Sequence, residues 1–301
     1  MATGANLSVA LIGLGEVGQA LAGDLQAAGV RSISAYDIAF ADEASRQLAA
    51  ARALDLAIAA SAADAARRAT LAISAVTAGS ALDAARAAAP GLSGGTMFLD
   101  VNSVAPSTKQ EAAKIVEHAG GRYVEAAVMS PIHPKRIGTP ILLGGPHAQS
   151  FLDVAAPLGF NAKPYSDRIG AASSVKMCRS VMIKGIESLV AECLLSSHHY
   201  GVTDDVLASL KDMFPGQDWD RTARYMLSRT LQHGRRRSEE MEEVAKTVAD
   251  AGLDPVMSEA IVVRQRWAGE LGKLVDDPGN ANEPRGERLD KLSRLIEGQK
   301  A

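Results

Sequence analysis

Leu7-Ser8-Val9-Ala10-Leu11-Ile12-Gly13-Leu14-Gly15-Glu16-Val17-Gly18 is the stretch whose reading decides the fold. Its first six residues form a short β-branched and aliphatic run, and Gln19 to Ala28 continue with helical spacing at Leu21, Ala22 and Leu25 before a stop at Gly29. Strand, glycine turn and helix thus follow in the order of a dinucleotide-binding βα unit. In that reading Gly13 permits the tight turn, Gly15 lets backbone approach a pyrophosphate, and Gly18 lets the helix pack against the strand. Leu14, Glu16 and Val17 complete the turn, and the helix N-terminus offers unpaired N–H groups to the phosphates.

A second strand, Ser32 to Tyr36, ends in Asp37. A carboxylate there accepts hydrogen bonds from ribose hydroxyls and repels a 2′-phosphate. No Arg or Lys follows until Arg46, so the residues favour NAD as cofactor, with NADP the alternative. Strands at Leu56 to Ile58, Leu71 to Val76, Thr96 to Asp100, Arg122 to Val128, Ile141 to Leu143 and Asn161 to Tyr165 alternate with helices at Ala41 to Ala51, Ala62 to Arg68, Ser80 to Ala89 and Pro106 to His118. Such alternation predicts an α/β Rossmann domain with a doubly wound, mostly parallel sheet. Its ligand crevice lies at the carboxyl ends of the strands, which puts Val76, Thr77, Asn102 and Ser103 beside the cofactor.

From Gly170 the strands stop. A long helix over Gly170 to Ser197 is followed by helices at Thr203 to Met213, Trp219 to Gln232, Arg236 to Ala251, Asp254 to Lys273 and Gly286 to Glu297. The organisation predicted is a dinucleotide-binding Rossmann domain over 1–167 and an all-α domain over 168–301, joined by the long interdomain helix. Apolar residues nearly encircle that helix, which predicts burial on most sides. Steps of about 100° per residue put Arg179, Ser180 and Glu187 on the face of Lys176, a polar face expected to look into a cleft.

The bulk numbers fit two globular domains: 301 residues, 47% hydrophobic, 22% charged, net charge −3. No basic excess points to nucleic acid. No apolar run reaches the length of a membrane span, and Met1 to Asn6 carry no basic leader signature, so a cytoplasmic location is expected. Cys178 and Cys193 are about 22 Å apart along one helix, too far to bridge each other, and are expected to serve as small buried hydrophobes. No metal-ligand pattern stands out.

Four motifs resemble the β-hydroxyacid dehydrogenases, the family of 3-hydroxyisobutyrate and 6-phosphogluconate dehydrogenase-like proteins. They are the glycine turn Gly13 to Gly18; Asp100-Val101-Asn102-Ser103-Val104-Ala105-Pro106, similar to Asp-x-Ser-Thr-x-x-Pro; Gly170 to Ser180, similar to Gly-x-Gly-x-x-x-Lys-x-x-Asn-Asn; and Glu125 to Pro131, similar to Asp-Ala-Pro-Val-Ser-Gly-Gly. The resemblance implies a nicotinamide-dependent oxidoreductase in which Lys176 takes the position of the catalytic lysine, and a homodimer formed through the helical domain.

Where the family carries two Asn this chain has Arg179 and Ser180, and Met129, Ser130 and Pro131 replace Ser-Gly-Gly. Glu239-Glu240 stand where the family usually has Lys-Asp, just after a basic run, Arg235-Arg236-Arg237, that reads as a solvated helix start. The pattern is that of a divergent branch with a phosphogluconate-dehydrogenase-like C-terminal domain. Oxidising an alcohol needs a base at the hydroxyl, the role expected of Lys176. Arg179, with its two-pronged guanidinium, is expected to bind an anionic small-molecule substrate with Ser130, His133, Ser180 and His233. Two other readings share the architecture: a reductase of imine or carbonyl substrates, in which the lysine is generally replaced, and a non-catalytic dinucleotide-binding module.

Overall fold

The computed structural model describes residues 7–298; the expectation about Met1 to Asn6 falls outside them. The chain divides into two compact units, Met1–Met177 and Cys178–Ala301.

The first unit contains β1 (Ser8–Ile12), α1 (Glu16–Ala27), β2 (Ser32–Tyr36), α2 (Arg46–Ala53), β3 (Ala57–Ile58), α3 (Ala62–Ala66), β4 (Leu71–Ser74), α4 (Ala81–Ala88), β5 (Met97–Asp100), α5 (Pro106–His118), β6 (Arg122–Val128), β7 (Ile141–Gly144), α6 (Ala148–Ala155) and β8 (Ala162–Ser166). The sheet order is β3-β2-β1-β4-β5-β6-β7-β8. All neighbours are parallel except β6 and β7, which run antiparallel.

The period-2 alternation of side chains explains the layering. Leu11, Leu71, Ile73, Leu99 and Leu143 pack under Leu21, Leu25 and Phe151 on one face. Ala10, Ala72, Phe98 and Tyr123 face the alanines of α3, α4 and α5 on the other. Alanine there lets short helices lie close to the sheet.

One expected helix is displaced. Instead of Ala41 to Ala51, a 3₁₀ turn covers Ile38–Ala41 and α2 begins at Arg46, because Ser45 caps it by accepting from the Leu48 N–H.

A helix α7 (Ala171–His199) carries the chain into the second unit, followed by α8 (Thr203–Met213), α9 (Trp219–Asp250), α10 (Val256–Gly272) and α11 (Arg285–Gly298). The helices expected at Trp219 to Gln232 and Arg236 to Ala251 are one continuous α9 of 32 residues. Gly234 does not break the helix; it lets α9 and α10 touch backbone to backbone. A Cβ at Gly234 would lie 2.3 Å from the Gln265 carbonyl oxygen and 2.6 Å from the Gly269 nitrogen, and one at Gly269 would lie 2.5 Å from the Arg235 nitrogen. The basic run is therefore mid-helix rather than a solvated helix start: Arg237 is buried, whereas Arg235 and Arg236 are exposed.

The expectation that α7 is buried on most sides is also corrected. Met182 and Leu189 are 63% and 61% exposed, and Cys178 is exposed as well. In the second unit α7 buries a polar stretch, Ser180, Lys184, Glu187 and Ser188, each less than a tenth exposed, and further along Ala191 and Leu194 join the apolar core. Periodicity reports where apolar residues lie on a helix, not whether the same chain covers them.

Candidate active site

The glycine turn is built as its spacing requires. Gly13 adopts φ +93°, and a Cβ there would lie 2.4 Å from the Ala75 carbonyl oxygen; a Cβ on Gly18 would lie 2.2 Å from the Gly13 oxygen. Around Gly15 nothing lies within 4 Å of a Cβ position, and Gly15 caps α1 without any side-chain hydrogen bond. Open space over a helix terminus with unsatisfied N–H groups is a cradle for an anion. Leu14 is buried, Val17 partly buried and Glu16 exposed.

Asp37, at the carboxyl end of β2, accepts from the Leu14 N–H at 2.7 Å and from the Ala39 N–H at 2.9 Å. These bonds tie the acid to the glycine turn and leave lone pairs on each oxygen.

At the ends of β4 and β5, Asn102 acts as a strut. Its Oδ1 accepts from the Val76 N–H at 2.7 Å and its Nδ2 donates to Ser74 Oγ at 2.9 Å. Asn102 is buried, Thr77 exposed and Val76 intermediate, so Asn102 shapes the loop that Thr77 presents. Beneath it lies a network that the sequence did not single out. Lys109, fully buried, donates to Asp100 Oδ1 at 2.9 Å and to the Asp100 carbonyl at 2.7 Å. The Tyr123 hydroxyl donates to Asp100 Oδ2 at 2.7 Å. Burial, and then the Asp100 charge, push the Tyr123 hydroxyl well above the usual tyrosine range.

Lys176 lies in the second turn of α7, within the first unit, and its Nζ donates to Ser103 Oγ at 2.5 Å. The two residues are 73 positions apart in sequence, and the contact brings a primary amine to the carboxyl end of β5. Ser130, in the loop after β6, has a buried hydroxyl with no hydrogen-bond partner among the described residues. His133 is exposed, its Nε2 4.0 Å from Glu16 Oε1, so the loop reaches the dinucleotide turn. Arg136, held at φ +52°, anchors that loop through Asp24 Oδ1 at 2.8 Å and the Ala20 carbonyl at 3.0 Å.

In the second unit, Arg179 is exposed, while Ser180 is buried and accepts from Lys184 Nζ at 3.2 Å. Lys184 pairs with Glu240 at 2.8 Å, Arg236 also binds Glu240, and Arg237 pairs with Glu187. Glu187 thus has a structural partner on α9, and Ser180 is buried beside Lys184 of its own helix.

His233 Nε2 lies 2.7 Å from Arg229 Nη1. Arginine only donates, so this nitrogen accepts and the ring proton sits on Nδ1. Burial, then Arg229 and Arg236, lower the His233 pKa to about 4. The neutral form is therefore the one favoured by folding, and stability is full above about pH 6.5, the unfolded value, and falls as pH drops toward 4. In a ¹H–¹⁵N NMR titration the His233 ring should stay neutral through pH 5, and Tm should fall over that interval less in His233→Gln than in the wild type.

Residues 8–161, just over half of the chain, match the family model described as the NAD binding domain of 6-phosphogluconate dehydrogenase; residues 197–271 match a domain of unknown function (DUF1932). The chain belongs to the β-hydroxyacid dehydrogenase family. Its first unit carries the NAD(P)-binding domain of that family.

A conserved hypothetical protein from Sinorhizobium meliloti is 37% identical, with 96% of each chain covered and a TM-score of 0.72. A conserved protein of unknown function, described as structurally similar to 3-hydroxyacid dehydrogenases, is 31% identical, with 91% of this chain and 100% of that one covered and a TM-score of 0.67. The mitochondrial 3-hydroxyisobutyrate dehydrogenase of Rattus norvegicus is 26% identical over 223 residues, 70% of this chain and 63% of that one. The chain spans 61% and 63% of the lengths of the two curated relatives it matches. An imine reductase from Myxococcus stipitatus shares the fold at 16% identity, with 96% of this chain and 99% of that one covered and a TM-score of 0.57. No described helix of this β-hydroxyacid dehydrogenase family member is long and apolar enough to cross a membrane.

Proposed function

We propose that the chain is an NAD-dependent oxidoreductase acting on the hydroxyl carbon of a small anionic hydroxy acid, with Lys176 as the general base in oxidation and general acid in reduction. The observation that carries this reading is the 2.5 Å contact of Lys176 Nζ with Ser103 Oγ at the carboxyl end of β5, two strands along the sheet from β1 and its dinucleotide turn. The nicotinamide, when bound, supplies the hydride chemistry. Gly13, Gly15 and Gly18 with the first turn of α1 would hold the pyrophosphate, and Asp37 the adenosine ribose.

The chain's own task is then to move one proton at the substrate oxygen. An amine held by a serine hydroxyl can do so, and the family resemblance implies that an imine reductase would generally have this lysine replaced, whereas this chain keeps Lys176. The test is NAD reduction across hydroxy acids, sugar acids and aryl alcohols, with wild type compared to Lys176→Ala.

Two features support the cofactor and substrate class. Asp42 and Glu43 follow Asp37 and no Lys or Arg stands between Asp37 and Arg46, so a 2′-phosphate would meet the Asp37 carboxylate with no cation from that loop to offset it. We expect kcat/KM for NAD to exceed that for NADP on the order of 100-fold; a preference for NADP would overturn the assignment of Asp37. On the substrate side, Arg179, Ser180 and His233 with the unpartnered hydroxyl of Ser130 and nearby His133 are the proposed binding groups. Since His233 is held neutral, Arg179 carries the positive charge among the helical residues of this set. Arg179→Ala should raise KM about 10- to 100-fold, the loss of a charge-assisted hydrogen bond, with a smaller change in kcat.

The exposed Met182, Leu189 and Val263 of the helical unit support the expected homodimer. Sedimentation at micromolar concentration tests it.

A further inference from the structure

The first turn of α7 is held by a residue from the sheet. Glu125, on β6, is fully buried. Its Oε2 accepts from the Gly170 N–H and its Oε1 from the Ser173 N–H, both at 2.6 Å. A helix start leaves its first N–H groups without partners. Here those groups are satisfied not by a neighbouring side chain but by a carboxylate 45 and 48 residues earlier in the chain. Lys176 stands three residues beyond Ser173, about 4.5 Å along the axis.

From these contacts we infer that Glu125 is the positioning residue for Lys176: its two-oxygen cap fixes the depth and rotation of the lysine-bearing turn against the carboxyl end of β5. This rests on the function proposed for Lys176.

The geometry requires an acid. Both partners are donors, so each oxygen must accept; a glutamine would turn its NH₂ toward one of them and break that bond. The neighbouring strand is cut to fit. Gly144, paired with Glu125 across β6 and β7, has no Cβ, and one placed there would lie 2.2 Å from Glu125 Oε2. Gly144 does not need φ > 0, so its role is room for the carboxylate. On the far side, Gly170 at φ +99° turns the chain into the helix with its N–H aimed at the same acid. Three residues far apart in sequence thus converge on one cap.

Two variants perturb it from different elements. Glu125→Gln removes one acceptor; Gly144→Ala keeps the charge and displaces it. In both, amide hydrogen exchange over Gly170 to Met177 should rise about tenfold or more, as for loss of a charge-assisted bond, while β1 and β4 stay protected. The kcat should fall about 100-fold, the scale of a misplaced catalytic group, with the dinucleotide Kd unchanged. An amine-reactive ester should label Lys176 more slowly than exposed Lys114 in wild type, and at a similar rate to it in both variants.

Unchanged exchange in both variants would overturn the cap. Raised exchange with wild-type kcat would overturn the positioning role, and so would a loss of kcat that merely tracks a loss of folded protein and of dinucleotide binding. If wild type shows no Lys176-dependent turnover, the proposed function fails, and the exchange and labelling results alone decide the inference about Glu125.

Discussion

Replacing Lys176 with alanine should lower kcat by about 10²- to 10⁴-fold, the range that a general acid or base contributes, while leaving dinucleotide affinity little changed. The cradle is built from the glycine turn, the Asp37 carboxylate and the backbone N–H groups of α1, so it should survive loss of the lysine side chain. Arginine should not rescue, because a guanidinium stays protonated and cannot take a proton from the substrate oxygen. Ser103→Ala should have a milder effect, since it removes the hydroxyl that holds Nζ at 2.5 Å but leaves the amine. Stopped-flow measurement of NADH formation with fluorescence titration of the dinucleotide separates the two quantities. Equal turnover by wild type and Lys176→Ala would overturn the role of Lys176, and tight NADH binding with no turnover by either would leave the non-catalytic dinucleotide-binding module as the better reading.

The second large effect lies in stability. Lys109→Met should cost about 3–5 kcal/mol, the usual penalty for removing one partner of a buried ion pair. Asp100 would keep the Tyr123 hydroxyl and the Asn102 N–H but lose the Lys109 ammonium, which is fully buried beside it. At roughly 2–4 °C per kcal/mol for a domain of this size, Tm should drop on the order of 10 °C. The double variant Lys109→Met with Asp100→Asn should recover part of the loss, because replacing both partners avoids a stranded charge. Urea unfolding of the single and double variants checks this. Full additivity of the two losses would mean that the pair does not act as a unit.

Local chemistry was legible before any coordinates. The turn at Gly13, the αβ alternation, the proline start of α5 and the Ser61 cap of α3, where Ser61 Oγ accepts from the Asp64 N–H, depend on residues within a few positions of one another. The lysine is legible through its fixed distance from Gly170, which adopts a left-handed conformation at φ +99° where the chain turns into α7. Other features were read wrongly or not at all. Gly234 looked like a break because glycine weakens an isolated helix, whereas its role is set by Gly269 on α10. Met182 and Leu189 looked like core because hydrophobicity does not say what covers a side chain. Glu125 and Lys109 carry no local signal: one lies in a motif whose visible departures are its serine and glycines, the other inside an ordinary amphipathic helix.

The glycine turn thus determined by sequence alone that a dinucleotide cradle begins this chain, since backbone conformation at Gly13 and Gly18 is a local property. What only the tertiary structure decided is how the lysine is held. Its serine contact spans 73 residues and its helix cap 45 and 48, and such pairings become visible only when the sheet has brought β5, β6 and the start of α7 together.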